Sequence, residues 1–322
     1  MLQIRYDPVK NQKIAYSTKR QGRTFHPPKN YCPLCPTISE KVKTEILRSS
    51  YDIVVFENKF PTFSRSPDGL DFKVEPPYKI FRSKGICEVV CYTENHDEYL
   101  EDQSNEKIEN IIKVWIDRYC NLGKKNFIKY VFIFENKGNE IGVTLSHPHG
   151  QIYAFSYIPP VIKEELKNSK IYYRKNSKCL HCEILKIENK SDRIIIENND
   201  FISFIPYYAR WPYEVHIYPF RHIGSLYDLK NAEIGSLAKL LKELISKYNQ
   251  LFDFRMPYVM AIHQKPTDNR NYEYYHLHFE FYPPYRAQDK LKYIAGCELG
   301  TGTFINDTLP EDKAKELRKS QT

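Results

Sequence analysis

The stretch Thr144-Leu145-Ser146-His147-Pro148-His149-Gly150-Gln151-Ile152-Tyr153-Ala154-Phe155 decides how this chain is read. Two histidines flank a proline, and a glycine and an amide follow before a strand-like run. Proline fixes its own φ and restricts the residue before it, so the two imidazoles are held in a defined relation. The glycine is expected to let the backbone approach a ligand closely. One histidine can then serve as a metal ligand or orienter while the other attacks an electrophile. That division of labour suits nucleotidyl transfer through a phosphoramidate on histidine.

Working outward, a second His-x-His stands at His276-Leu277-His278, and the elements before it repeat those before the first. Each half opens with a Cys-x-x-Cys, Cys32/Cys35 and Cys179/Cys182. Strand-like runs follow, Tyr51–Phe56 and Phe201–Pro206, and then a lone histidine after a strand, His96 and His222. An amphipathic helix comes next, 105–122 with Ile108, Ile111, Ile112, Trp115, Ile116 and Tyr119 on one face. Its counterpart, 232–251, carries Ile234, Leu237, Leu240, Leu241, Leu244, Ile245 and Tyr248. Another β-rich run, Ile128–Phe134 or Tyr258–Ile262, leads into each His-x-His. The extra length in the first half falls in the loop-like Ser64–Pro77. Short strands around single helices predict an α+β fold of two fused halves, residues 1–160 and 161–322, each an antiparallel sheet with flanking helices. Lys163–Lys178 reads as an exposed connection, and Pro310–Thr322 as a surface helix.

A 322-residue chain with 41% hydrophobic residues can bury a sizeable core. Its +8 formal charge is spread among interleaved acids and bases, without a basic block. That balance reads first as an ordinary solvated surface; it is compatible with a modest attraction for phosphorylated small molecules, and nucleic-acid binding ranks third. No apolar run reaches membrane-spanning length and no secretory signal is visible, which predicts a cytoplasmic protein. In that compartment the eight cysteines are not expected to form disulfides. The two Cys-x-x-Cys pairs point to metal, and Cys87, Cys91, Cys120 and Cys297 read as buried small hydrophobes.

These motifs resemble those of the galactose-1-phosphate uridylyltransferases, a branch of the histidine-triad superfamily. The resemblance is carried by the His-Pro-His-Gly-Gln run and by Asn136-Lys137-Gly138 with Gly142 and Thr144, where Thr144 stands for the family's serine. It continues in Cys32-Pro33-Leu34-Cys35, Val55–Phe60, Tyr207–Pro212 and Phe281–Pro284, in family order from about Arg5 to Asp312. The resemblance implies a uridylyl-histidine intermediate on His149, with UDP-glucose as donor and galactose 1-phosphate as acceptor. Gln151 would stabilise a phosphoryl oxygen. Asn136, Gly142 and Thr144 would line the phosphates, Phe56, Asn58 and Phe60 the uridine, and Arg20 and Arg23 would bind phosphate. His263 and His278, with Glu280 beside them, sit where relatives have sugar-side and second-metal residues, and Lys292 and Glu298 resemble a hexose-contacting segment. A homodimer is implied as well.

Zinc takes four soft or borderline ligands. The first set expected is Cys32, Cys35, His96 and His147. Repeat symmetry gives a second, Cys179, Cys182, His222 and His276, with iron left open as its metal. His278 mirrors His149 but is followed by Phe279 and Glu280, so no attack on phosphorus is expected there. Gly300–Asp307 departs from better-known uridylyltransferases and resembles a branch that includes adenylyl-transferring relatives. Two rival readings therefore stand beside the first: an ADP-sugar or adenylyl-sulfate phosphorylase, and a non-catalytic zinc-stapled nucleotide-binding module.

Overall fold

A computed structural model describes residues 1–22, 27–28, 31–39, 41, 43–70 and 73–320. The first half contains β1 (Leu2–Asp7), β2 (Gln12–Ser17), β3 (Val54–Glu57), β4 (Lys79–Arg82), β5 (Gly85–Cys91), α1 (Asn105–Gly123), β6 (Tyr130–Lys137) and β7 (His149–Phe155). The second contains α2 (Pro160–Asn176), α3 (Leu180–Glu188), β8 (Ile194–Glu197), β9 (Phe201–Phe204), β10 (Val215–Pro219), α4 (Asn231–Leu251), β11 (Tyr258–His263) and β12 (His278–Tyr282). A β13 (Tyr285–Ala287)–β14 (Lys290–Leu291) hairpin, α5 (Gly296–Thr301) and α6 (Pro310–Lys319) close the chain.

Among the described residues, nine strands form one sheet in the order β3-β5-β7-β6-β11-β12-β10-β9-β8, and each neighbouring pair in it is antiparallel. The halves are thus more tightly fused than two separate sheets would be. β6 pairs directly with β11, from Tyr258 opposite Lys137 to Ile262 opposite Ile133. About this seam β7 mirrors β12 and β5 mirrors β10, so the two His-x-His segments occupy equivalent places. Beside this sheet, β2-β1-β4 forms a small antiparallel sheet of its own.

One face of the large sheet is covered by α1 and α4. The stripes read from the sequence are the buried ones, with Ile108, Ile111, Ile112, Trp115, Leu237, Leu241 and Leu244 in a single core that spans both halves. Ser104 caps α1 by accepting from the backbone N–H of Lys107. The two-residue period of β7 sends Gly150, Ile152 and Ala154 into this core and leaves His149, Gln151, Tyr153 and Phe155 on the opposite face. The side chains of His149 and Gln151 therefore lie on the sheet face that α1 and α4 do not cover.

Lys163–Lys178 is largely exposed, as expected, but it is helical rather than a bare connection. It is most of α2, anchored by the buried Ile162, Leu166 and Ser169, a stripe too sparse to stand out in a polar run. Cys87 and Cys91 are buried, but Cys120 and Cys297 are partly exposed, because Cys297 lies on the short surface helix α5. No helix among the described residues is long and apolar enough to cross a membrane.

Candidate active site and metal centres

The His-Pro-His run leaves a loop and enters β7 at His149. The Nδ1 of His149 lies 2.7 Å from the carbonyl oxygen of His147. A carbonyl can only accept, so Nδ1 carries the proton and Nε2 keeps its lone pair. Burial holds the imidazole below its ordinary pKa, outweighing the bond to His147, so the ring is neutral near pH 7. This is the state a histidine nucleophile needs.

His149 lines one cavity with Arg20, Asn58, Phe60, Asn136, Gly142, Thr144 and Gln151. Asn136 arrives on β6 beside β7. Gly142 closes the short turn after it, with φ at 81° and its N–H donating to Asn139 at 2.9 Å. Gly138 has φ at 104°, and a Cβ there would lie 2.4 Å from Pro257. Both glycines are thus dictated by the turn that brings Thr144 to the cavity. Asn58 accepts from the Phe60 N–H at 2.8 Å, which leaves its amide N–H groups as donors. Arg20 donates to Thr62 at 2.9 Å and to Tyr153 at 3.1 Å.

Other expected residues lie elsewhere. Phe56 does not line that cavity but packs against the cluster of Leu34, Ile46, Val89 and Cys91. Lys292 and Glu298 pair with each other at 3.2 Å on the C-terminal segment and do not line the His149 cavity. Arg23 falls outside the described residues. Conversely, Leu34, Glu45, Val89, Phe134 and Tyr153 line the cavity and were not singled out. Tyr153 was within reach, since it follows Gln151 on the same strand face. Glu45 lies in an irregular segment with no periodic signal.

Gly150 serves a purpose different from the one expected. Its free side faces the core rather than a ligand: a Cβ would sit 2.2 Å from the hydroxyl of Tyr92 and 3.1 Å from its ring. Tyr92 is fully buried against Trp115 and cannot withdraw. Gly150→Ala is therefore expected to displace the backbone between His149 and Gln151, costing about 1–3 kcal/mol of stability and on the order of 10²-fold in kcat. Denaturant titration and steady-state rates measure the two effects separately.

The two Cys/His sets each converge. In the first, the Sγ of Cys35 lies 3.5 Å from the Nδ1 of His96 and 3.5 Å from that of His147. In the second, the Sγ of Cys182 is 3.2 Å from the Nδ1 of His222 and 3.4 Å from that of His276. All four donor atoms of each set lie within 4.8 Å of one another. Tetrahedral zinc at ordinary bond lengths separates sulfur from nitrogen by about 3.6 Å, so both sets fit. The outer nitrogens are held as well: His147 by the carbonyl of Thr93 and the hydroxyl of Tyr51, each at 2.9 Å, His96 by Ser146 at 2.9 Å, and His276 by the carbonyl of Pro219 at 3.1 Å. Burial and the neighbouring Cys32 push the Cys35 thiol up to about 12. A divalent cation reverses that, because a coordinating thiol is deprotonated.

His263, His278 and Glu280 meet Glu165 of α2 in a third group, deep in the second half. His263 pairs with Glu165 at 3.0 Å. Burial alone would lower His263, but the two carboxylates raise it to about 9. His278 repeats the geometry of His149, its Nδ1 3.0 Å from the carbonyl of His276. Its Nε2, however, faces Glu280 at 3.5 Å, where the first half has Gln151 and open cavity. This donor set could hold a divalent cation.

Two family models match the chain: the galactose-1-phosphate uridyl transferase N-terminal domain over residues 4–159 and the C-terminal domain over residues 165–321. The galactose-1-phosphate uridylyltransferase of Thermotoga maritima is 39% identical over 322 residues, covering 100% of this chain and 99% of that protein. A solved structure of a uridylyltransferase superposes with a TM-score of 0.88 at 35% identity, covering 99% of this chain and 98% of the other. An ADP-glucose phosphorylase from Arabidopsis thaliana gives 0.76 at 26% identity, with 100% of both chains covered. Matched by both family models over nearly its whole length, the chain belongs to the galactose-1-phosphate uridylyltransferase family.

Proposed function

We propose that this enzyme moves a uridylyl group from UDP-glucose to galactose 1-phosphate through His149. The observation that carries the reading is the tautomer of His149: its Nδ1 proton is held by a carbonyl while the ring lines the same cavity as Asn136, Thr144 and Gln151. The Nε2 lone pair attacks the α-phosphorus, the bond to the bridging oxygen breaks, and glucose 1-phosphate leaves. A phosphate oxygen of galactose 1-phosphate then attacks the same phosphorus, forming UDP-galactose and returning His149 to its neutral state. Gln151 donates to a non-bridging oxygen as charge develops there. Arg20 offers a guanidinium to the phosphates.

Cys32, Cys35, His96 and His147 would hold one zinc ion, and Cys179, Cys182, His222 and His276 a second. Bound zinc supplies structural cross-links: four protein ligands leave no open position. His147 joins the first site to the reaction because its carbonyl orients His149. A cytoplasmic setting suits thiolates that must stay reduced. We also place the working form as a homodimer. Lys292 and Glu298 do not line the His149 cavity of their own chain, and the exposed Tyr293 and Leu299 beside them suit contact with a second copy.

The uridylyl reading is favoured over the adenylyl one by the 39% identity to a galactose-1-phosphate uridylyltransferase against 26% to an ADP-glucose phosphorylase. UDP-glucose is expected to be used at least about ten-fold more efficiently than ADP-glucose, roughly the discrimination of one good hydrogen bond. Competing the two donors and comparing kcat/KM tests this. Equal or reversed efficiencies would favour adenylyl transfer.

A further inference from the structure

Among the described residues, Glu45 is the one acidic side chain lining the cavity that His149 shares with Arg20, Asn58 and Gln151. Its position is fixed by the zinc-binding loop: its N–H donates to the carbonyl of Pro33 at 2.9 Å, and the hydroxyl of Thr44 donates to the carbonyl of Cys35 at 2.6 Å. Pro36 and Ile46 pair across the same loop. The side chain is half-buried, and among the described residues its carboxylate has neither a hydrogen-bond nor an ion-pair partner.

A carboxylate repels phosphate, so it does not belong at the His149–Gln151 end. Glu45 belongs with Leu34, Asn58, Phe60 and Val89, where apolar walls suit a base and its sugar. A carboxylate accepts hydrogen bonds and donates none when ionised. The imide of uracil offers one N–H flanked by two carbonyls, which would face the second carboxylate oxygen unfavourably. A ribose cis-diol offers two O–H donors side by side, matching both oxygens with charge-assisted bonds. Acidic residues hold ribose hydroxyls in the same way in dinucleotide-binding folds.

We propose that Glu45 binds the 2′- and 3′-hydroxyls of the nucleotide sugar and makes the enzyme selective for ribonucleotide over 2′-deoxyribonucleotide donors. This rests on the reading of the cavity as a nucleoside-diphosphate-sugar site. The test compares UDP-glucose with 2′-deoxy-UDP-glucose and with N3-methyl-UDP-glucose, in wild type, Glu45→Ala and the volume-conserving Glu45→Gln. Two quantities are read: KM and the yield of nucleotidylated His149 at saturating donor.

Wild type is expected to prefer the ribose donor by about 10–100-fold. Glu45→Ala should narrow this to within about three-fold, through KM, with the saturating adduct yield unchanged, and Glu45→Gln should fall between. If both variants keep the wild-type preference while forming the adduct, the assignment of Glu45 fails and the reading of the site stands. If the variants lose discrimination against the N3-methyl donor instead, Glu45 reads the base and the ribose assignment is overturned. If wild type forms no adduct with any donor, the reading of the site fails and the proposal with it.

Discussion

His149→Ala is expected to lower uridylyl transfer by on the order of 10⁴-fold or more, because in the proposed mechanism it removes the atom that carries the intermediate. The fold should survive. The lost side chain lies on the face of β7 away from the core, and the carbonyl of His147 that it leaves can turn to water. A shift in Tm of no more than about 4 °C follows from losing one hydrogen bond of this kind. Gln151→Ala, by contrast, should cost about 10²–10³-fold, the range for one group that stabilises developing charge. Rates and melting temperatures on the same preparations separate the two roles. A His149→Ala enzyme that kept more than about one per cent of its activity would show that another group carries the nucleotide.

The second large effect concerns metal. Each Cys/His set draws ligands from distant parts of the chain: 40 residues separate Cys182 from His222 and 94 separate it from His276. Closing such long loops is where a bound ion contributes most to folding. Protein purified without chelator is expected to hold about two zinc ions per chain in these sets, and Cys179→Ser to release one. Breaking a four-ligand structural site in a domain of this size should lower Tm by on the order of 5–10 °C. The variant should still nucleotidylate His149, since the second set lies across the sheet from it. Metal analysis and thermal scans of both proteins check this. Unchanged zinc content in Cys179→Ser would refute the second zinc site.

Much of this architecture was legible because the chain says it twice. The apolar stripes of α1 and α4, the two knuckles and the two His-x-His segments recur in order, and a repeated pattern is stronger than either copy alone. The seam between β6 and β11 was not legible. The alternation of a strand tells which face is buried, not which strand lies beside it. Helix α2 was hidden by its charge, and with it Glu165, whose partners His263, His278 and Glu280 lie about a hundred residues further on. The place of His149 in a cavity and the convergence of the two Cys/His sets were readable because proline and Cys-x-x-Cys spacing constrain local geometry. Glu45, Leu34 and Val89 reach the cavity from a loop and an adjoining strand, and nothing local marks them. Gly150 was singled out for the wrong reason: only the packing of Tyr92 shows that its missing side chain faces inward.

The central claim is that His149 carries the nucleotide between donor and acceptor. The most direct test is the intact mass of the protein mixed with UDP-glucose in the absence of galactose 1-phosphate. Wild type should gain one uridylyl group, labile in acid and stable in base as a phosphoramidate is, located by peptide mapping to His149 and discharged when galactose 1-phosphate is added. A wild type that turns over without ever gaining that mass, or a His149→Ala protein that gains it, would contradict the account.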